Sequence, residues 1–324
     1  MIARRGLLLA AAATPVASAR AADPARVAVV LSGTPQSHDV YLAAFRRGLA
    51  QVRLVEGRDV VLSAHYVEGD VSRLPALAAA IVDSRARVIV AASSGVLASL
   101  RKTTTSIPMV LAAGSDPIGA GLAVSLARPG GNVTGVMILG EDLDAKRLDL
   151  LHEAAPKARS VAVLFSAEYP ASVLEDKRAG MRAVAASLGI ALLDFTVAAP
   201  DDHAAAFAAM RAAGVQALVI GGSPQLDRDT KLLAARALEA QLPTACEWAR
   251  STQVGCLLGY SPSTAALRQR MADQVARILR GAAPGELPIE GPSVFEFAVN
   301  LKVAKALGLA VPAALLARAD EVIE

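Results

Sequence analysis

The residues of this chain best suited to chemistry are small and polar, and they sit at the ends of short apolar runs. Ser32-Gly33-Thr34, Ser93-Ser94 and Ala113-Gly114-Ser115-Asp116 follow three such runs, and Ser166-Ala167-Glu168-Tyr169, Gly221-Gly222-Ser223 and Glu247-Trp248 follow three more. Hydroxyls and free backbone N–H groups at the start of a helix or turn suit a carboxylate. Glu247 offers a negative charge to an ammonium, and the adjoining Trp248, the single tryptophan of the chain, offers a face for stacking. Asp116 and Asp227 are rival ammonium partners. Each residue also has a plainer reading, the Ser and Asp residues as helix caps and the tryptophan as partly buried structure.

Catalytic signatures fail on inspection. Gly221-Gly222-Ser223-Pro224-Gln225 lacks the final glycine of a nucleophile elbow, and neither a dinucleotide fingerprint nor a P-loop is present. His38, His65, His152 and His203 are scattered without cysteine partners, so the pattern predicts no zinc site and no other metal or cofactor.

These loops need a frame. From Arg26 onward, short β-branched runs alternate with longer Ala- and Leu-rich amphipathic stretches, as in successive βαβ units. The pattern predicts strands over 27–31, 60–66, 88–92 and 109–112, with helices over 40–52, 74–84 and 96–104. A Gly- and Pro-rich stretch, 114–135, interrupts it before a strand over 133–139. A second series follows, with helices over 143–155, 173–188, 203–213 and 230–240 and strands over 161–165, 190–195, 217–220 and 244–246. Later pieces, strands over 256–260 and 294–299 and helices over 265–280 and 301–307, fit neither series and are expected to cross between the two halves. In open parallel sheets, ligands bind beyond the carboxyl ends of the strands, which is where the polar loops fall. The expected fold is α/β, with two Rossmann-like lobes of parallel strands flanked by helices: residues 25–138 plus 262–284 form lobe 1, and 139–261 plus 285–324 form lobe 2.

Composition agrees with that frame. The 324 residues are 54% hydrophobic and only 3% aromatic, so the cores must be built from small aliphatic side chains. The N-terminus has Arg4-Arg5, an apolar run from Gly6 to Val16 and small residues around Ala19 and Ala21, the three parts of a signal peptide over 1–22. A membrane anchor would need about 20 apolar residues, and this run is about half that and contains Pro15. Export to the periplasm as a soluble protein is therefore expected. The formal charge of +3 is a property of this leader, because without Arg4, Arg5 and Arg20 the basic residues fall from 33 to 30 against 30 acidic ones. No basic face is left for nucleic acid. Cys246 and Cys256 could form a disulfide in an oxidising compartment or stand as two buried thiols.

Several stretches together resemble one family: 73–78, Ser115-Asp116-Pro117-Ile118, Leu126-Ala127-Arg128-Pro129-Gly130-Gly131-Asn132-Val133-Thr134-Gly135, Lys146-Arg147-Leu148-Asp149-Leu150-Leu151, and 300–323. The chain is similar to ABC transporter substrate-binding proteins with tryptophan- and tyrosine-binding members. The resemblance implies a type I periplasmic-binding fold with three crossings between lobes, a small-molecule ligand (an amino acid or related carboxylate), a permease partner in the inner membrane and a monomeric state. It also implies carboxylate binding by Ser94 and the Ala113-Gly114-Ser115 turn, although Ser93-Ser94 departs from the Thr-Pro-type pair of many members. The same fold could serve a signalling receptor, and a secreted enzyme using Asp116, Glu247 or a serine is a third reading. A LacI-like repressor is excluded, because residues 1–25 read as a leader and not as a DNA-binding motif.

Overall fold

A computed structural model describes residues 23–324 apart from Gly69, residues 114–116, Leu139 and Pro170, and apart from the side chains at 36–38, 71, 94, 113 and 140–142. The leader over 1–22 and the candidates Gly114, Ser115 and Asp116 thus lie outside the described residues, as do the side chains of Ser94 and Ala113.

The first lobe runs β1 (Ala25–Leu31), α1 (Pro35–Gln51), β2 (Val60–Tyr66), α2 (Leu74–Asp83), β3 (Val88–Ala91), α3 (Ser94–Leu100), β4 (Met109–Ala113) and β5 (Val133–Met137). The second begins with α4 (Gly140–Ala154), β6 (Ser160–Ser166), α5 (Ala171–Leu188), β7 (Ala191–Val197), α6 (Asp202–Ala212), β8 (Ala217–Ile220), α7 (Pro224–Glu239), β9 (Thr244–Cys246) and β10 (Leu258–Pro262). The chain then gives α8 (Thr264–Leu279) to the first lobe and closes the second with β11 (Phe295–Asn300), α9 (Leu301–Ala306), α10 (Ala313–Leu316) and β12 (Glu321–Ile323).

Two sheets result, ordered β2-β1-β3-β4-β5 and β12-β11-β10-β9-β8-β6-β7. The first is parallel throughout. Its alternation sorts the core: Val27, Val29 and Leu31 pack with Leu42, Phe45, Met271 and Val275 under α1 and α8, while Ala28 and Val30 pack with Ala78, Ile81, Leu97 and Leu100 under α2 and α3. Strands buried on both faces read as continuous apolar runs, which is why they are visible in the sequence. The second sheet is sandwiched in the same way, with Val161, Val163 and Phe165 toward α4 and α5 and Ala162 and Leu164 toward α6 and α7. Among the described pairings only β10 and β11 are antiparallel, because β11 re-enters the sheet directly from the other lobe.

Three connections join the lobes: β5 to α4, β10 to α8, and the stretch after Glu290 that leads into β11. Before that last passage the chain stays with the first lobe, where Ile289 enters its core and Glu290 bridges Val136. A cavity of about 410 Å3 lies at this hinge, lined by Val136, Leu267, Arg270 and the segment from Gly291 to Val294.

Three expectations need correction, the first being the helix read over 40–52, which begins at Pro35. The helix read as starting at Thr230 starts at Pro224, because Ser223 caps it, its Oγ accepting from Leu226 N at 3.0 Å, and Pro224 occupies the first turn, where its missing N–H costs nothing. The tail also holds α10 and β12, which are too short to give a periodicity.

Candidate functional site

The site is built where the C-terminal ends of the second lobe's strands meet the first lobe's helix α1. Glu247 and Trp248 leave β9 and enter a 3-10 turn over Ala249–Val254. The turn is tied at both ends, since Cys246 and Cys256 are joined by a disulfide whose sulfurs lie in the core beneath. Gly259 on β10 makes room for it: a Cβ there would fall 2.1 Å from the Trp248 carbonyl oxygen.

Beneath the strand ends lies a buried charge network that sequence reasoning missed. Asp144 is fully buried, and its carboxylate accepts from Arg147 (2.5 Å), from Lys177 Nζ (2.8 Å) and from Gly222 N (3.3 Å). Burial opposes its ionised form, but Lys177 and Arg147 outweigh that and hold its carboxyl below the usual range. Arg147 also donates to the Glu247 carbonyl (3.0 Å) and the Tyr260 carbonyl (2.9 Å). One guanidinium thus fixes the ends of β9 and β10, while Asp144 fixes that of β8. The signal available was the Asp144 and Arg147 spacing on one helix face, together with the 146–151 motif.

Above this network the Glu247 carboxylate lies against Gly222, where a Cβ would come within 3.1 Å of it. Among the described residues no hydrogen-bond donor is set against that carboxylate. Burial raises its pKa to about 7, with Asp227 and Asp144 adding to the effect and Arg147 and Lys177 opposing it. Tyr169 stands beside it, its hydroxyl donating to the Gly222 carbonyl at 2.8 Å and its ring carrying Lys177 Nζ 5.4 Å from the centroid.

The first lobe reaches this point through Tyr41. The Arg250 guanidinium, held by both oxygens of Asp227 at 2.8 and 2.7 Å, lies 4.9 Å from the Trp248 ring and 5.9 Å from the Tyr41 ring. Burial raises the Tyr41 pKa, with Arg250 opposing and Asp227 reinforcing it. Glu247 reinforces it as well.

The other candidates divide. Ser32 and Gly33 at the end of β1 are half-buried and Thr34 is exposed. Ser93 caps α3, its Oγ accepting from Val96 N at 3.4 Å, and Ser223 caps α7. Ser166 is buried and donates to Gln225 Oε1 at 2.5 Å. Asp227 is engaged by Arg250, whereas Glu247 has no cationic hydrogen-bond donor among the described residues.

Two α/β lobes joined by three passages, and meeting near the second lobe's strand ends where Arg250 touches Tyr41, are the architecture of a solute-binding protein. The chain belongs to the ABC transporter substrate-binding protein family, whose model matches residues 24–323. A tyrosine-binding protein from Clostridioides difficile is 28% identical over 123 residues, which are 38% of this chain and 35% of that protein, about a third of its length. The fold is that of a Streptococcus pneumoniae ABC domain solved with L-Trp, at TM-score 0.82 and 23% identity over 93% of this chain and 100% of the other. A conserved domain protein from Vibrio cholerae gives the same TM-score and coverage at 24% identity.

Proposed function

We propose that this chain is the receptor of an ABC importer and captures an amino acid or related carboxylate between its lobes, with no catalytic step. In this reading residues 1–22 direct export and are removed, and the mature protein works as a soluble monomer in the periplasm, presenting its ligand to an inner-membrane permease. Lobe 1 comprises 25–138 plus 262–284, with the segment through Glu290 packed on it, and lobe 2 comprises 139–261 plus 291–324.

The observation that carries this reading is Glu247, a strand-end carboxylate that lies against Gly222 with its backbone carbonyl anchored by Arg147 and no hydrogen-bond donor on its oxygens among the described residues. Such a group suits an ammonium, and Trp248 and Tyr41 beside it suit an apolar or aromatic side chain. The loops 32–34, 93–94 and 113–116 of the first lobe, with their hydroxyls and amides, suit the carboxylate. The tyrosine-binding relative and the L-Trp complex support an aromatic amino acid.

A ligand that binds only the folded chain raises its melting temperature by mass action. A thermal-shift screen of the natural amino acids and simple aromatic carboxylates should give stabilisation of several degrees with a small subset. No shift with any compound contradicts the proposal.

A further inference from the structure

Arg268 of α8 is a buried cation that no carboxylate among the described residues pairs with. The residue is 9% exposed. Its Nε has no partner, and one guanidinium nitrogen meets only the Met271 sulfur at 3.2 Å. No carboxylate among the described residues lies within ion-pairing distance of it. Among the described residues its electrostatic support is the Tyr41 ring, whose centroid is 5.1 Å from the guanidinium carbon. A ring face falls well short of the cost of removing a guanidinium from water. Arg268 also shares a cavity of about 10 Å3 with Val29, Leu31, Leu42, Phe45 and Val90. Leu31 immediately precedes Ser32, and Val90 is the penultimate residue of β3, so the charge sits close beneath the ends of β1 and β3.

We propose that Arg268 is the buried counter-charge for the carboxylate of the captured ligand, acting from beneath the 32–34 and 93–94 loops while their hydroxyls and amides make the contacts. The inference rests on the binding reading above and adds to it the residue that selects an anion. A charge enclosed by apolar walls acts through a low effective dielectric and is felt over several ångströms. The second lobe then supplies the negative site, Glu247, and the first lobe the positive field, so that a zwitterion is bound in one orientation.

A purely structural arginine and a counter-charge differ in what removal does. Arg268→Met deletes an uncompensated buried charge while keeping the apolar stem, so the ligand-free variant should melt at or above the wild-type temperature. Calorimetric titration with L-tyrosine, L-tryptophan and benzoate, each beside its carboxamide, reads the function. Wild type is expected to prefer each acid that it binds over its amide. Arg268→Met should lose roughly ten- to thirtyfold for the acid and little for the amide, and Arg268→Lys should retain most of the preference. Equal weakening of acid and amide, or a variant that melts several degrees lower yet binds the acid normally, overturns the assignment alone. A wild-type protein that takes benzoate but neither amino acid sinks the amino-acid reading and leaves the same comparison to judge Arg268. One that binds none of the acids overturns both.

Discussion

In the proposed receptor Glu247 is the partner of the ligand's ammonium, and its titration gives a signed test. Its pKa of about 7 in the folded chain lies above that of an unfolded glutamate, so between about pH 4.5 and about 7 the folded state keeps a proton that the unfolded state has lost. The resulting stabilisation is whole below that window and gone above it, on the order of 3 kcal/mol. Denaturation of the ligand-free protein at several pH values should therefore show Glu247→Gln gaining on wild type as pH rises from about 5 to about 8. An unchanged gap contradicts the assigned environment. An ammonium ligand needs the ionised carboxylate, so wild-type affinity should rise through pH 7 and binding at pH 6 should release a proton into the buffer. Glu247→Gln should bind about ten- to a hundredfold more weakly. At Gly259 the test is steric: alanine would collide with the Trp248 carbonyl, and Gly259→Ala should displace the 3-10 turn and weaken ligand binding severalfold in calorimetry even where circular dichroism reports a native fold.

At the scale of elements, the strand ends are held by charge below and by a covalent tie beside them. Replacing Asp144 by alanine leaves Arg147 and Lys177 buried together without their anion, and urea denaturation should register a loss of about 3–5 kcal/mol. A loss below 1 kcal/mol would mean that water reaches the network. The disulfide closes a loop with a sequence separation of 10 that carries Glu247, Trp248 and Arg250. Its replacement by two alanines should cost about 2–3 kcal/mol by the loop-entropy argument, with binding weakened as well because the loop is freer. The βα alternation was legible because strands such as Val88–Ala91 are apolar on both faces. The start of α7 was not, because a Ser-Pro cap looks the same as a loop until the following turn is seen. Glu247 and Trp248 were legible from their place after β9. Arg147, Lys177, Tyr41 and Arg268 were not, since each becomes informative only through partners far along the chain, such as Arg147 with the Tyr260 carbonyl. The pairing of Cys246 with Cys256 was likewise open until the backbone brought their Cα atoms to 6.3 Å.

The whole molecule is two sheets that meet through a few side chains and three strands of chain, so ligand energy can be spent on moving one lobe against the other. Arg250 is the visible link across the gap, touching Tyr41 of the first lobe while Asp227 holds it to the second. Arg250→Ala should leave stability within about 0.5 kcal/mol, as for other exposed ion pairs, and should speed ligand release in stopped-flow measurements. An unchanged release rate would mean that the lobes do not depend on this contact. The sequence also supplies a reporter at the point of interest, because Trp248 is the single tryptophan of the chain. Titration of its emission with the amino acid or carboxylate that stabilises the protein, a ligand other than tryptophan being used so that only the protein is seen, tests whether the ligand is held beside Trp248. A saturable change in emission, with the same midpoint as calorimetry, is the predicted result; heat of binding with no change at Trp248 would place the ligand elsewhere and contradict the account.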